Sequence, residues 1–171
     1  MMDKIKEQNL QVAIQMERDG KAFFLKAASG AENLLAKRIF EELARQEDFH
    51  IERILVLYEQ MKKEQPLKEW ITAIAGIGQL DKVFQESLQE KAQASENDLN
   101  ALRFGLEIED KSVKFYESLA NHASDSYEKR FYLTLSHEER DHYLRIMDSI
   151  EYLSDPVGWF YTKQKSMVDG G

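Results

Sequence analysis

Two short motifs of the sequence pair a glutamate with a histidine three residues later. The first is EDFH at 47–50 and the second is ERDH at 139–142. On a helix this spacing places both side chains on one face, one turn apart. A further glutamate stands 33 residues before each histidine, at Glu17 and at Glu109. Carboxylates combined with imidazoles are typical ligands of divalent transition metals, so the chemistry that these residues predict is metal binding. The candidate ligands are Glu17, Glu47, His50, Glu109, Glu139 and His142.

The motif at 47–50 occupies positions where a buried helix face would carry leucine. The same stripe has Phe40 and Leu43 before the motif, and Ile54 and Leu57 after it. Burying a carboxylate and an imidazole is costly unless both are paired or bound. No lysine or arginine falls on the stripes that hold the candidate ligands, so we expect no counter-charge from the chain itself. Two divalent cations would balance four carboxylates.

Four long helical patterns position these residues. They span approximately 3–28, 33–64, 95–123 and 124–153. The first two and the last two are joined by short turns, which predicts antiparallel hairpins. The connection at about 66–95 is long enough to cross the length of a bundle. The sequence therefore predicts an all-α, ferritin-like four-helix bundle of two repeated antiparallel helical hairpins joined by a long crossover.

The predicted bundle domain covers 1–153, and a C-terminal tail follows at 154–171. The tail has no helical pattern, and we expect an irregular strap over the bundle or part of an oligomer contact. Within the crossover, the run ITAIAGIG at 71–78 indicates packing or a subunit contact. A short helical piece is predicted around 83–92. The apolar crossover and tail favour a homodimer.

The two hairpins are copies of one another. Shifting the first half of the chain by 92 residues aligns it with the second half without a gap. The shift superimposes Phe23 on Phe115 and Arg53 on Arg145, and it superimposes each candidate ligand on its counterpart. Two such hairpins packed face to face have an approximate twofold axis through the bundle.

All six candidate ligands should converge at one level of this bundle. Glu17 lies as far before the first turn as Glu47 lies after it, so an antiparallel hairpin brings the two level. The second hairpin repeats the arrangement. Small residues flank the glutamates of the first and third long helices, and we interpret them as a void that admits a small oxidant such as O₂ or a peroxide. These residues are Ala13, Gly20, Gly105 and Ser112.

Composition excludes several classes of function. The chain has 171 residues and a net charge of −8, which argues against a nucleic-acid-binding surface. It has no cysteine, which excludes disulfides, iron–sulfur clusters and cysteine nucleophiles, and which fits a reducing compartment. The charged N-terminal sequence is not that of a signal peptide, and no apolar run is long enough to span a bilayer. We therefore expect a cytoplasmic protein without a membrane or nucleic-acid partner.

Three other residues invite a functional interpretation. Tyr116 lies seven residues after Glu109 on the same helix face, where it is either a core tyrosine with its hydroxyl at the bundle surface or a hydrogen-bond donor to a ligand glutamate. In the second interpretation Tyr116 could have a redox role. His122 and His137 lack a glutamate three residues earlier, and we interpret both as surface or loop residues.

At this point the sequence resembles the rubrerythrin branch of the ferritin-like superfamily. The resemblance rests on MERDGKAFF at 16–24, IEDKSVKFY at 108–116 and the two motifs at 47–50 and 139–142. It covers about 10–153. Rubrerythrins reduce hydrogen peroxide at a diferrous site, and they take electrons from a rubredoxin-like Cys₄ iron centre.

The resemblance implies a role for each candidate ligand. Glu47 and Glu139 would bridge the two metals, Glu17 and Glu109 would be terminal ligands, and each motif histidine would hold one metal. The chain departs from the family in having no cysteine, so a separate protein would have to donate electrons. It also departs at Ser112, where rubrerythrins carry an extra glutamate, and at Phe24, where a tyrosine is expected in the first repeat.

The function that these residues predict is a redox reaction of a diferrous site with hydrogen peroxide or O₂, with two iron ions as cofactor. Manganese or a mixed-metal pair would fit the same donor set. Three alternatives remain open from the sequence. They are a ferroxidase or iron-handling protein, a non-catalytic helical interaction module with a vestigial site, and an oxygenase with an organic substrate.

Overall fold

A computed structural model describes residues 4–65, 79–88 and 94–169, and these residues form helices throughout except for the connecting turns. The helices are α1 (Lys4–Gly30), α2 (Leu34–Lys62), α3 (Gln79–Ser87), α4 (Glu96–His122), α5 (Ser126–Ser154) and α6 (Pro156–Asp169). The predicted contact of the run at 71–78 falls outside the described residues.

Side-chain caps explain where the long helices begin. The side chain of Asn33 accepts a hydrogen bond from the amide of Ala36 at the start of α2. Ser95 and Asp98 form a capping box at the start of α4, in which each side chain bonds the other residue's backbone amide. Asp125 caps α5 by accepting from the first two amides that follow Ser126. These caps confirm the predicted helix starts to within two residues.

Asp98 also joins the two hairpins. Its carboxylate oxygens accept hydrogen bonds from the backbone amides of Glu32 at 3.0 Å and Asn33 at 3.1 Å, in the turn between α1 and α2. Asp98 itself is buried. One carboxylate therefore fixes the start of α4 against the α1–α2 turn, which helps to hold the two hairpins at the relative height that the site requires.

The apolar core consists of two clusters at opposite ends of the bundle. One cluster lies around the α1–α2 turn and includes Phe24, Phe40 and Ile146. The other lies near the start of α1 and includes Leu10 and Leu135. Each cluster takes side chains from both hairpins, so burial of apolar surface clamps the bundle above and below its middle.

The described residues contain no strand, which confirms the all-α prediction. α1 packs mainly on α2 and α4 mainly on α5, as two antiparallel hairpins would. In the crossover, α3 packs on α2 and α5, and it begins earlier than the helical piece predicted at 83–92. No helix in the described ranges combines the length and hydropathy that a membrane span requires.

The prediction of an irregular C-terminal tail was wrong. Pro156–Asp169 forms α6, and Asp155 caps it by accepting a hydrogen bond from the amide of Gly158 at 3.0 Å. Pro156 stands at the first helical position, where its missing N–H costs nothing. The ring of Trp159 packs edge-on against Phe84 of α3, with 5.5 Å between ring centroids. The tail thus covers the crossover helix, but it does so as a helix.

Candidate metal centre

All six predicted side chains lie together in the middle of the bundle. Their ligand atoms form two groups, and within each group all atoms lie within 4.8 Å of one another. The first group is Glu17, Glu47, His50 and Glu139. The second group is Glu47, Glu109, Glu139 and His142. Glu47 and Glu139 belong to both groups, so the two groups share one edge.

The six residues lie on the four long helices in the arrangement that the sequence repeat predicts. α1 and α4 supply one glutamate each, whereas α2 and α5 each supply a glutamate and a histidine one turn apart. None of the six side chains is more than 2% exposed. They form a polar layer between the two apolar clusters, and water has little access to it.

Both histidines turn Nδ1 towards the carboxylates. Nδ1 of His50 lies 2.7 Å from an oxygen of Glu139 and 3.2 Å from one of Glu17. Nδ1 of His142 lies 3.4 Å from the other Glu139 oxygen and 3.6 Å from Glu109. The two imidazole rings are nearly parallel, with 5.5 Å between centroids. One nitrogen of each ring is therefore available inside the layer, and the other faces outwards.

Several of the possible metal-ligand atoms in the layer make no hydrogen bond to the described residues. Both carboxylate oxygens of Glu109 and Nδ1 of His142 are buried, and among the described residues they have no hydrogen-bond partner. Buried polar atoms are normally paired, since leaving one unpaired costs about 1–3 kcal/mol. A divalent cation would satisfy these atoms and offset the negative charge of the carboxylates. The donor set of oxygens with one imidazole per group fits iron or manganese, so the cluster fits a di-iron site.

The carboxyl groups differ in their protonation. Burial raises the pKa of Glu47 well above its usual range, and the neighbouring charges of Glu17 and Glu139 raise it further. Burial, with the charge of Glu139, likewise raises the pKa of Glu109. Burial also opposes ionisation of Glu139, but the charge of His50 and the hydrogen bonds from His142 and His50 together outweigh it and hold that pKa well below the usual range. Without metal, the layer keeps protons on part of its carboxyl set.

The histidines are shifted towards the protonated form. Burial disfavours the imidazolium of His50, but the charge of Glu139 and the hydrogen bonds that the ring donates to carboxylates raise its pKa well above the usual value. The pKa of His142 is also raised, since its hydrogen bond and charge interaction with Glu139 exceed the cost of burial. Because metal ligands must be deprotonated, a metal that binds here has to displace these protons.

Three further residues complete the site, and the sequence interpretation missed them. Nε2 of His50 lies 3.1 Å from a carboxylate oxygen of Glu138, and that oxygen accepts a 2.6 Å hydrogen bond from Arg53. Nε2 of His142 lies 2.7 Å from the side-chain oxygen of Gln46. The expectation of no counter-charge needs a correction, because Arg53 is buried one turn after His50. The sequence carries one signal of this counter-charge, because Arg53 lies three residues after His50 and so shares its helix face.

Tyr116 has its hydroxyl inside the bundle. It is fully buried, and it donates a hydrogen bond to Oε1 of Glu17 across the α1–α4 interface. Burial and the charge of Glu17 raise the pKa of the Tyr116 hydroxyl well above its usual value, so it stays a donor. The alternative of a hydroxyl at the bundle surface was wrong. The first repeat has Phe24 at the corresponding position, and Phe24 packs in the apolar cluster.

The small residues beside the glutamates do not all border a void. At Gly105 a Cβ would meet the ring of Phe24 at 3.2 Å, so this glycine makes room for that ring. At Gly20 a Cβ would lie 3.7 Å from the carboxyl carbon of Glu47, at ordinary contact distance. Space beside the metal layer is therefore available at Gly20 and is filled at Gly105.

The two other histidines lie away from the site, as predicted. His137 is exposed on α5. His122 is exposed in the last turn of α4, where its Nδ1 lies 2.7 Å from the carbonyl oxygen of Ser118. Neither reaches the metal layer, so the histidines that remain as candidate ligands are those of the two motifs.

Comparison with known families gives one match. The family model described as Rubrerythrin matches residues 8–97, which is more than half of the chain. The matched segment contains most of α1 and all of α2 and α3, and with them the candidate ligands of the first hairpin. Comparisons with curated proteins and with solved structures found no significant match. The family match, the all-helical fold and the buried carboxylate–histidine layer agree, and the chain belongs to the rubrerythrin family.

Proposed function

We propose that the chain is a di-iron oxidoreductase whose reduced site reacts with hydrogen peroxide or O₂. The observation that carries the proposal is the pair of donor groups with a shared edge, Glu47 and Glu139. Two ions that share two carboxylates are held close enough to act together on one small oxidant. Membership of the rubrerythrin family favours iron as the metal and peroxide as the oxidant.

The grouping of the ligand atoms suggests a role for each residue. Glu47 and Glu139 would bridge the two ions, since each belongs to both groups. Glu17 and His50 would complete one position, which we call the first position. Glu109 and His142 would complete the other, which we call the second position. Four carboxylates and two neutral imidazoles balance two divalent cations in charge, as a water-poor site requires.

Two bound ferrous ions would supply the two electrons that convert hydrogen peroxide, with two protons, into two waters. The chain supplies the surroundings for this reaction. The apolar clusters exclude bulk water, the outward hydrogen bonds of the histidines fix the ring orientations, and Tyr116 orients Glu17. The sequence has no cysteine and therefore no Cys₄ iron centre, so a separate protein would return the electrons.

Anaerobic iron loading followed by separate oxidant challenges tests the proposal. The chain is loaded with ferrous ion, the metal content is measured, and absorbance reports oxidation after peroxide or O₂ is added. We expect two irons per chain and faster oxidation by peroxide. A chain that binds no iron would exclude the proposal. Fast oxidation by O₂ alone, with a large assembly on a sizing column, would instead indicate a ferroxidase.

Replacing Tyr116 by phenylalanine should weaken the first position. The change removes the hydroxyl that holds Glu17 and keeps the ring, which stacks on Tyr132. Loss of a hydrogen bond that orients a ligand is expected to lower metal affinity about 10–100-fold. Titration of the metal-free chain with Co²⁺ measures it. Tyr132→Phe is the matched control, because that hydroxyl faces Glu128 and not the metal layer. Equal affinities for wild type and Tyr116→Phe would contradict the role given to the hydroxyl.

A size series at Gly20 tests access of the oxidant. A Cβ fits there at ordinary contact distance, so Gly20→Ala should still bind two metals but react more slowly with peroxide. Gly20→Leu should displace the carboxylate of Glu47 and lower the metal content. Gly30→Ala is the control, since a Cβ at Gly30 meets nothing within 4 Å. Stopped-flow absorbance gives the rate, and an unchanged rate in Gly20→Ala would show that the oxidant approaches elsewhere.

A further inference from the structure

The outward nitrogens of the two motif histidines contact corresponding positions of opposite hairpins. His50 on α2 contacts Glu138 on α5, and His142 on α5 contacts Gln46 on α2. Positions 46 and 138 differ by 92, which is the offset of the repeat. The two histidines therefore make equivalent contacts with different partner groups. His50 contacts a carboxylate, and His142 contacts a neutral amide.

The carboxylate has a buried counter-ion. Glu138 is 3% exposed, and Arg53 lies against it with 2.6 Å between Nη1 and the carboxylate oxygen. The guanidinium also lies over the ring of Phe131, 5.9 Å from its centroid. An arginine–carboxylate pair of this kind is costly to bury, so it has to be matched by good geometry and further contacts. Here the further contact of the carboxylate is the histidine.

The side-chain amide of Gln46 is uncharged and needs no counter-ion, and its surroundings differ from those of Glu138. The nitrogen of Gln46 donates a 2.8 Å hydrogen bond to Glu42, which leaves its oxygen to face His142. Arg145, which corresponds to Arg53 in the repeat, lies instead against Asp81 and Asp148, each at 3.2 Å. The difference between Gln46 and Glu138 is thus matched by the position of the arginine. A buried arginine lies against the glutamate, whereas the corresponding arginine in the other hairpin lies against two aspartates.

The same half of the site has the better-held glutamate. Tyr116 donates a hydrogen bond to Glu17, whereas the corresponding Phe24 has no hydroxyl to donate to Glu109. Within the part of the chain that the structure describes, the carboxylate oxygens of Glu109 accordingly have no hydrogen-bond partner. In the first position, neighbouring side chains orient both Glu17 and His50. In the second position, a neighbouring side chain orients His142 but not Glu109.

We propose that the two positions are unequal by construction, and that the chain fills the first position, Glu17 and His50, before the second. This inference rests on the proposed dinuclear site. A carboxylate that accepts a hydrogen bond from the outer nitrogen of a histidine fixes its tautomer and raises its donor strength, which an amide does less well. Glu138 is a positioning residue that acts through His50, and the hydrogen bond from Arg53 holds Glu138 in place.

Titration of the metal-free chain with Co²⁺ tests the order of filling. Visible absorbance follows the two binding steps. Proton NMR of the cobalt-loaded chain shows the shifted, exchangeable N–H signal of each coordinated imidazole. We expect one signal at one equivalent and a second signal only after it. The His142→Ala chain, which keeps the first position, identifies the signal of His50.

The variant that separates positioning from simple structural support is Glu138→Gln combined with Arg53→Met. It removes both buried charges together and makes the contact of His50 resemble that of His142. We expect the affinity of the first step to fall about 10–100-fold and the His50 signal to move, with the His142 signal unchanged. Arg145→Met is the matched control, since it removes the corresponding arginine at the surface and should change neither step.

The outcomes are distinguishable. Simultaneous filling of the two positions in the wild-type chain would overturn the inference and leave the dinuclear site intact. So would a double variant whose first step is as tight as in wild type. A wild-type chain that binds no cobalt and no iron would overturn both the inference and the proposed function. If the double variant does not fold, as judged by circular dichroism, the order of filling in wild type still decides.

Discussion

The Glu47→Ala chain is expected to lose both metal ions. Glu47 belongs to both donor groups, so its removal takes a ligand from each position. Elemental analysis after anaerobic loading with ferrous ion should give close to no metal per chain. The matched control is Asp48→Ala, because Asp48 is the next residue on α2 and its exposed carboxylate pairs with Lys21, at 2.6 Å. That control should still bind two ions.

A second comparison tests the reason for the loss. Glu17 belongs to one donor group only, so Glu17→Ala should remove a ligand from the first position and retain one metal in the second. Thermal unfolding of each metal-free variant shows whether the bundle has formed. A folded Glu47→Ala chain that binds two ions normally would refute the assignment of Glu47 as a shared ligand.

Metal loading is expected to reverse the pH dependence of stability. In the metal-free chain, burial and neighbouring carboxylates raise the pKa of Glu47 and Glu109. Above the ordinary glutamate pKa of 4.5, the folded chain therefore holds protons that the unfolded chain has lost. The raised pKa of His50 and of His142 has the same sign near neutral pH. Where the folded state binds more protons, the free energy of unfolding falls as pH rises.

The loaded chain should behave in the opposite way, because metal binding releases these protons and strengthens as pH rises. At free metal about 1,000 times above the dissociation constant, each occupied position adds about 4 kcal/mol to the free energy of unfolding. Urea unfolding of both forms between about pH 5.5 and about pH 8 measures the two slopes. Glu47→Gln with Glu109→Gln is the control, and its metal-free slope should be shallower. Parallel slopes for wild-type chains with and without metal would contradict the prediction.

The fold and the meeting of the six side chains could be predicted because both follow from spacing. Helix period places Glu47 and His50 on one face, and the repeat offset of 92 transfers that face to the second hairpin. The number of residues between each glutamate and its hairpin turn then fixes the height of that glutamate along the bundle. None of these inferences needs knowledge of how the hairpins dock, so a sequence is sufficient for them. The ligand roles remain predictions until metal is measured.

What the sequence did not predict depends on docking. Arg53 and Glu138 resemble ordinary surface charges on a helix, and only the packing of α2 against α5 buries them together. The tail sequence shows no helical pattern, and α6 is held by Asp155 at its start and by the contact of Trp159 with Phe84. Local propensity does not report such contacts, because they join segments far apart in the chain.

The two apolar clusters at the ends of the bundle have a consequence for evolution. Each cluster joins both hairpins, so the chain is held together away from the polar layer. After an internal duplication, a residue at a position beside the layer could change in one copy without unfolding the bundle. Gln46 against Glu138, and Phe24 against Tyr116, are changes of that kind. The residues that stabilise the bundle and the residues of the metal layer lie at different heights along the bundle axis. A symmetric ancestor could therefore acquire two different metal positions within a single chain.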